Sequence, residues 1–421
     1  MKAKCTVFPL LLLFAFSALF AFAGGGQEMV TKEAYPPEME EWLKVSKLGP
    51  HEGSTQDWAE IERLAKQEGR VVVYSSSSRI ANVAETFEAT YPEIKLEGYD
   101  LGSVQTLEKT IREQDAGVYN ADIITTGGSG QVVYELLAKN RIVNFVPDTV
   151  GKEISKEMKD PLLVRINEAI VFFYNKETYP AAPPIENIWE LITKKWRGKV
   201  VLKNPLESES VFMGICTLVE HADEMEAAYR RFTGKKIELS PDVPDAGYEF
   251  IYRLLKNDMV LLSSGSKSAE ASGKKGQAGP PISIGSFTYI RYDATKGFAN
   301  EVFRDLDPVT GVIYPTYTGI ARQAPRPNAA KLLTAFLLGS PEINPDSVIE
   351  EPYTEGKSVE LLQGLAPCYE MGSQSPRKDV PPPTGGEIWD QVAGNCWTAS
   401  PEFMWYEAPK VQDFWVQESS Q

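Results

Sequence analysis

Ser75-Ser76-Ser77-Ser78-Arg79 is the first stretch of the chain whose side chains could do chemistry. It follows the apolar run Val71-Val72-Val73-Tyr74 and precedes Ile80, Val83 and Phe87, which recur at helical spacing, so a strand delivers these residues to the start of a helix. Hydroxyls, backbone N–H groups and the positive end of a helix dipole suit an anion. Arg79 adds a fixed charge whose planar fork matches phosphate or carboxylate. A plainer role is also open: one serine caps the helix and the others form a solvated turn. A second candidate is Thr126-Gly127-Gly128-Ser129-Gly130, where glycine lets a ligand approach the backbone, although the same residues would serve a tight turn. In a third, Glu207-Ser208-Glu209-Ser210, Glu209 stands apart from the hydroxyls on either side. Its carboxylate opposes an anion but suits sugar hydroxyls or an ammonium group. Ser286, Phe287 and Tyr289 close a later strand and offer hydroxyl and aromatic contacts, with core packing equally open for Phe287 and Tyr289.

The catalytic alternatives are thinly represented. There is no Gly-x-Ser-x-Gly elbow and no His-Glu-x-x-His pair, although a carboxylate pair stays open among so many acids. His51 and His221 are the only histidines, and with scattered cysteines they leave little for a zinc or thiol centre. The expectation is a binding protein that is not an enzyme and needs no cofactor. A secreted hydrolase and a ligand sensor on the same fold are the competing classes.

The elements that must position these residues alternate. Strand 71–74 is followed by a helix through Val83 and Phe87, then a strand at Ile94 and Leu96. A helix through Val104, Leu107 and Ile111 leads to the strand Asp122-Ile123-Ile124-Thr125 and a helix through Val132 to Leu137. Such alternation implies a mostly parallel sheet with helices on both faces. The apolar segment Ala169-Ile170-Val171-Phe172-Phe173-Tyr174 opens a second series. It comprises a helix around Trp189, Ile192 and Trp196, the strand Lys199-Val200-Val201-Leu202, and the helix of Cys216. A helix through Phe250 and Leu254 and the strands Val260-Leu261-Leu262 and 281–286 complete it. Segments 311–314 and 318–321 run back towards a last helix around Leu332, Leu333, Phe336 and Leu337. Beyond Pro341 the periodicity fades.

At 421 residues the chain exceeds what one core usually organises, so two lobes are expected. Lys2 and Lys4, the apolar run from Val7 to Phe22 and the small-x-small pattern Ala21-Phe22-Ala23 read as a signal peptide cut after Ala23. Loss of the two lysines takes the formal charge from −15 to −17. An acidic body without a basic stripe repels phosphate backbones, and nucleic acid is not an expected partner. Cys5 leaves with the leader. Of the remaining three, Cys216 sits in an apolar helical stretch and reads as buried, while Cys368 and Cys396 lie in the loop-rich tail and are the candidates for a disulfide.

The order and wording of several segments resemble the extracellular solute-binding proteins of ABC transporters, in the group of ferric-ion-, phosphonate- and sugar-phosphate-binding receptors. The resemblance covers residues 65–345 and rests on Glu68-Gly69-Arg70-Val71-Val72-Val73-Tyr74-Ser75, Ala121-Asp122-Ile123-Ile124 and Phe172-Phe173-Tyr174-Asn175-Lys176. Trp196-Arg197-Gly198-Lys199-Val200, Asn204-Pro205, Asn328-Ala329-Ala330-Lys331 and Leu337-Leu338-Gly339-Ser340-Pro341 continue it in order. It implies an α/β, two-lobed periplasmic-binding-protein fold of type II with a ligand cleft between lobes that close by hinge motion. Lobe 1 would comprise 56–168 and 315–345, and lobe 2 would comprise 169–314. A polar tether at 24–55 with at most one short helix would precede them, and a C-terminal extension at 346–421, of unknown packing, would follow. The resemblance also implies a monomer in the periplasm that delivers a small solute to an ABC permease in the inner membrane, and it places Ser208, Glu209 and Ser210 at the cleft. Ferric-binding relatives carry two adjacent tyrosines near the last strand of lobe 2. Here Tyr289 and Tyr292 are separated by two residues and the first loop is serine instead of histidine, so iron is the runner-up behind an oxyanion-bearing organic solute.

Overall fold

The computed structural model describes residues 33–340, 363–380, 382–383 and 386–420. The leader and its cleavage site lie outside the described residues. Arg70–Ser75 forms β1, and its side chains explain the sheet around it. Val71 and Val73 pack with Ile80, Val83 and Phe87 on one face, while Val72 and Tyr74 meet Leu107, Ile124 and Leu136 on the other. A strand apolar on both faces requires cover on both faces, and parallel pairing supplies it through crossover helices.

The further strands are β2 (Lys95–Asp100), β3 (Ile123–Thr126), β4 (Ile142–Val143), β5 (Val164–Asn175), β6 (Val200–Lys203), β7 (Val260–Leu262), β8 (Ile282–Ser286), β9 (Asn300–Val302), β10 (Gly311–Ala321) and β11 (Cys396–Thr398). They form a mixed sheet in the order β2-β1-β3-β10-β5-β8-β6-β7. β1 runs parallel to β2 and β3, and β6 runs parallel to β7 and β8. Between these two parallel series lie β5 and β10, antiparallel to each other. β10 also pairs with β3, and β5 with β8, so these two strands carry the chain from one half to the other. The lobe boundaries expected at 168/169 and 314/315 fall inside them. Each half has its own core. Ile123, Ile320, Leu333 and Phe336 belong to the first, and Trp189, Trp196, Phe250 and Ile284 to the second.

Two expectations need correction, and one segment left open is placed. The stretch read as a tether has its one short helix, Pro37–Ser46, but is packed and not free: Met39 and Leu43 of the helix and Leu48 beyond it are completely buried in the first core. Met39 and Leu43 stand at i and i+4, a helical signal masked by the prolines and glutamates around them. The helix around Trp189 is instead two short tight turns, Ile188–Ile192 and Lys194–Trp196, the first closed by an Asn187/Glu190 capping box. The C-terminal extension, whose packing the sequence leaves open, is integrated over its described residues. β11 adds to β10 in parallel, and helices Pro401–Tyr406 and Ala408–Ser419 send Met404, Val411 and Trp415 into the second core. Upstream, Asn167 and Gln374 exchange two backbone hydrogen bonds of 2.8 Å, which fixes the segment around Cys368 against β5. Among the described residues no helix is long and apolar enough to cross a membrane.

Candidate functional site

Because β1, β2 and β3 are parallel, their C-terminal ends share one edge. The turns that follow them, 75–79, 101–103 and 125–128, line one side of a cavity of about 1310 Å³. Residues 203–210 after β6 and Thr288 after β8 line the other side, and Arg165 and Glu168 of β5 with Tyr314 and Thr316 of β10 lie between. Ligands of open α/β sheets bind at such carboxyl ends.

The serine loop divides its work. Ser75 is fully buried; its Oγ donates to the Ser77 carbonyl and accepts from the Ser77 N–H, both at 3.0 Å. Ser77 Oγ accepts from the Arg79 N–H at 3.3 Å. These two hydroxyls therefore build the turn. Ile80 and Ala81 N–H already donate to the Ser77 and Ser78 carbonyls, which removes most of the backbone donors expected to meet an anion. The Ile80–Thr90 helix has no side-chain cap. Ser76 and Ser78 line the cavity with hydroxyls that make no hydrogen bond among the described residues, and Arg79 lies beside them with no carboxylate in ion-pair range. What remains for a ligand is two hydroxyls and a guanidinium.

On the same side, Gly127 and Gly128 line the cavity while Ser129 does not; it is fully buried and its hydroxyl is unpartnered. Gly128 has φ +84°, and a Cβ there would lie 2.6 Å from Glu209 Oε1, so glycine is what admits this carboxylate. Glu209 opens the Glu209–Glu220 helix in the second half, yet its carboxylate accepts from the Ser103 hydroxyl of the first. Burial raises its pKa above the ordinary carboxylate value, and the Ser103 hydrogen bond offsets this in part. Ser208 and Ser210 line the same wall.

The last predicted group is off by one residue. Thr288, not Ser286, Phe287 or Tyr289, lines the cavity. Ser286 braces Thr288 through a 2.8 Å hydroxyl pair. Phe287 is 1% exposed and packs with Val171, Phe173 and Trp389, and Tyr289 stacks on Tyr292 with ring centres 5.5 Å apart. The strand ends at Ser286 and the tight turn Phe287–Arg291 follows, which sends Phe287 into the core and leaves Thr288 at the cavity.

The expected Cys368–Cys396 disulfide does not form; both thiols are free. Cys396 pairs with Gly311 at the start of β10, whereas Cys368 contacts Arg165, whose neighbour Ile166 faces Thr316 of that strand. Five strand residues separate the two places, roughly 17 Å, well beyond the reach of a disulfide. Cys216 is fully buried, and burial raises its thiol pKa.

Sequence reading missed Arg165, Glu168 and Tyr314. Glu168 accepts from the Tyr314 hydroxyl at 2.8 Å and from Ser373 Oγ at 2.7 Å. The signal was present: Arg165 and Glu168 interrupt an otherwise apolar run that a buried strand would not tolerate without a use for them. Also missed were Cys368, Met371 and Trp405 of the extension, which reach the cavity only through tertiary packing. Trp405 stacks on Tyr134 of the first half with ring centres 5.6 Å apart, so the Pro401–Tyr406 helix touches both halves. Among the described residues no group of three or more His, Cys, Asp or Glu is placed to hold a metal ion.

No family model matches the chain, and no curated protein matches it in sequence. Solved structures do. Iron-bound HitA from Pseudomonas aeruginosa is similar with a TM-score of 0.60 at 12% identity, over 83% of this chain and 99% of that one. The apo ferric ion-binding protein A of Pasteurella haemolytica is similar at 0.59 and 15%, over 83% and 98%. The periplasmic binding protein AfuA from Actinobacillus pleuropneumoniae, with fructose-6-phosphate bound, is similar at 0.56 and 16%, over 84% and 99%. Identities this low speak to architecture alone, and the architecture is plain: the chain has the two-lobed α/β fold of the periplasmic solute-binding proteins.

Proposed function

We propose that this protein is the extracytoplasmic receptor of an ABC-type importer, exported by its cleaved leader and acting as a monomer that passes solute to an inner-membrane permease. It captures a small organic solute bearing an oxyanion, such as a phosphorylated sugar or a phosphonate, by closing its two lobes over it. The observation that carries this reading is the Ser76/Ser78/Arg79 group, set at an uncapped helix start and facing a cavity walled by both halves of the sheet. Charge-assisted hydrogen bonds from such a group contribute about 1.5–3 kcal/mol each. Glu209 and Ser103, on a different part of the wall, suit the hydroxyls of the same solute.

Two of the similar structures are named for ferric ion and one holds fructose-6-phosphate. The phosphate-bearing class is favoured because Tyr289 and Tyr292, the tyrosines an iron site would call on, stack on each other outside the cavity lining. A thermal-shift and native mass spectrometry screen against phosphorylated sugars, phosphonates, polyamines and ferric ion tests the reading. Saturable stabilisation by a phosphorylated sugar or a phosphonate is expected. Binding of ferric ion or polyamines alone would refute it.

A further inference from the structure

Among the described residues three guanidinium groups are nearly inaccessible to solvent, and they are not treated alike. Arg326 is paired with Asp122 at 2.7 Å, and Arg377 with Asp379 at 2.6 Å. Arg165 is 1% exposed and lines the cavity, yet no carboxylate lies within ion-pair range among the described residues. Its Nη2 donates to Cys368 Sγ at 3.4 Å, and its Nε has no partner. Arg79, half-buried, also meets a sulfur: its Nη2 donates to Met371 Sδ at 2.8 Å and it has no acid partner among the described residues. Thiol and thioether sulfurs are weak, neutral acceptors, so neither answers the positive charge beside it.

The two sulfurs belong together. Cys368 and Met371 are three residues apart on one turn, closed by the Met371 N–H to the Cys368 carbonyl at 3.1 Å. That spacing puts side chains on the same side, which brings the guanidinium groups of Arg79 and Arg165 to neighbouring places on the wall. Arg291, packed over the Tyr292 ring at 4.6 Å, adds positive charge to the field at Arg79. The carboxylate whose field reaches Arg291 and Cys368 is Glu168, already held by Tyr314 and Ser373. Neither Arg79 nor Arg165 pairs with a carboxylate among the described residues, although Glu108, Glu135, Glu207 and Glu209 also line the cavity. Burial holds the Cys368 thiol above its ordinary pKa, although Arg165 pulls the other way, so the sulfur stays neutral. An uncompensated buried charge is expensive, and two guanidinium forks match the oxygens of a tetrahedral dianion.

We propose that Arg79 and Arg165 together form a site for a dianionic head group, a phosphate monoester or phosphonate, and that Cys368 and Met371 of the C-terminal segment hold the two arginines in place for it. This deepens the functional reading above and rests on it. It assigns specificity to Arg165, and it makes the extension part of the binding site instead of an appendage.

The test uses the full mature chain and inorganic phosphate at pH 8, where the dianion predominates, followed by calorimetry. Wild type should bind phosphate saturably, and Arg165→Met and Arg79→Met should each weaken it at least tenfold. In phosphate-free buffer Arg165→Met should melt no lower than wild type, because an unpaired buried charge has been removed, and phosphate should stabilise wild type but not the variant. Arg165→Gln, which keeps a polar group, replaces Arg165→Met if the latter fails to fold. Phosphate affinity within twofold of wild type in the Arg165 variant, with Arg79→Met impaired, overturns the two-arginine site and leaves the functional reading standing. No phosphate binding by wild type also overturns the inference, and the solute screen then judges the broader reading separately.

Discussion

Asp122 is the buried group whose loss should be felt furthest from its own position. Its Oδ2 accepts from the Val72 N–H and from Arg326 Nε, both at 2.7 Å, and its Oδ1 from the Arg326 N–H at 3.0 Å. One side chain thereby ties β1 to the start of β3 and to the residue that precedes the Pro327–Leu337 helix, and so sets the two loops that face the cavity. Burial raises its pKa from the ordinary 3.8 to about 6, against the opposing pull of Arg326. That displacement corresponds to on the order of 3 kcal/mol of penalty on the charged form at neutral pH. As pH falls the folded chain takes up this proton before the unfolded chain does. Stability from this group therefore rises as pH drops from above 6 to below 4. Breaking the pair is worse than keeping it, because Asp122→Ala strands the Arg326 guanidinium and two N–H donors, a loss of about 3–5 kcal/mol. Replacing both partners, Asp122→Leu with Arg326→Met, should recover most of that loss. Urea unfolding at pH 7 followed by circular dichroism measures all three chains. The reasoning is refuted if Asp122→Ala costs less than about 1 kcal/mol, or if the double variant is no more stable than the single one.

Other outcomes follow from single contacts. Trp405→Ala removes a stacked pair worth about 1 kcal/mol that joins the C-terminal helix to Tyr134, and X-ray scattering of the ligand-free protein should show a larger radius of gyration; an unchanged radius contradicts the bridging role. Unreduced, denatured mature protein should expose three reactive thiols, Cys216, Cys368 and Cys396, and a count of one would restore the disulfide. Glu209→Gln should raise the melting temperature at pH 8, because it removes a buried charge while keeping an acceptor for Ser103. The difference should shrink as pH falls towards the ordinary carboxylate value, since wild-type Glu209 then takes up its proton in the folded state; a difference that grows on acidification counts against the assignment.

What was legible in the sequence was whatever local pattern determines. Val71 to Tyr74 and Asp122 to Thr125 read as strands because parallel strands buried on both faces must be apolar without interruption. The loops behind them read as cavity walls because the ends of parallel strands share an edge. Long-range pairing set the limit. The three residues of β11 form a strand only because β10 offers them an edge, and the distance between Cys368 and Cys396 depends on where that edge lies. A one-residue difference after β8 exchanged Thr288 for its neighbours, since alternation ends where the turn begins. Arg165 and Glu168 could have been flagged from the apolar run around them. The sulfurs that meet the two arginines come from residues 368–371, far along the chain, and no local spacing announces them.

The central claim is that an oxyanion of the solute sits on the Ser76/Ser78/Arg79 group. Ser77 Oγ braces the loop, so the informative variant spares it and combines Ser76→Ala with Arg79→Ala. Calorimetric titration of this variant and of wild type, with a phosphorylated sugar or phosphonate from the screen at fixed ionic strength, measures the claim directly. Binding should weaken by about one to two orders of magnitude with the melting temperature of the ligand-free protein nearly unchanged. Equal affinities in the two proteins would contradict it.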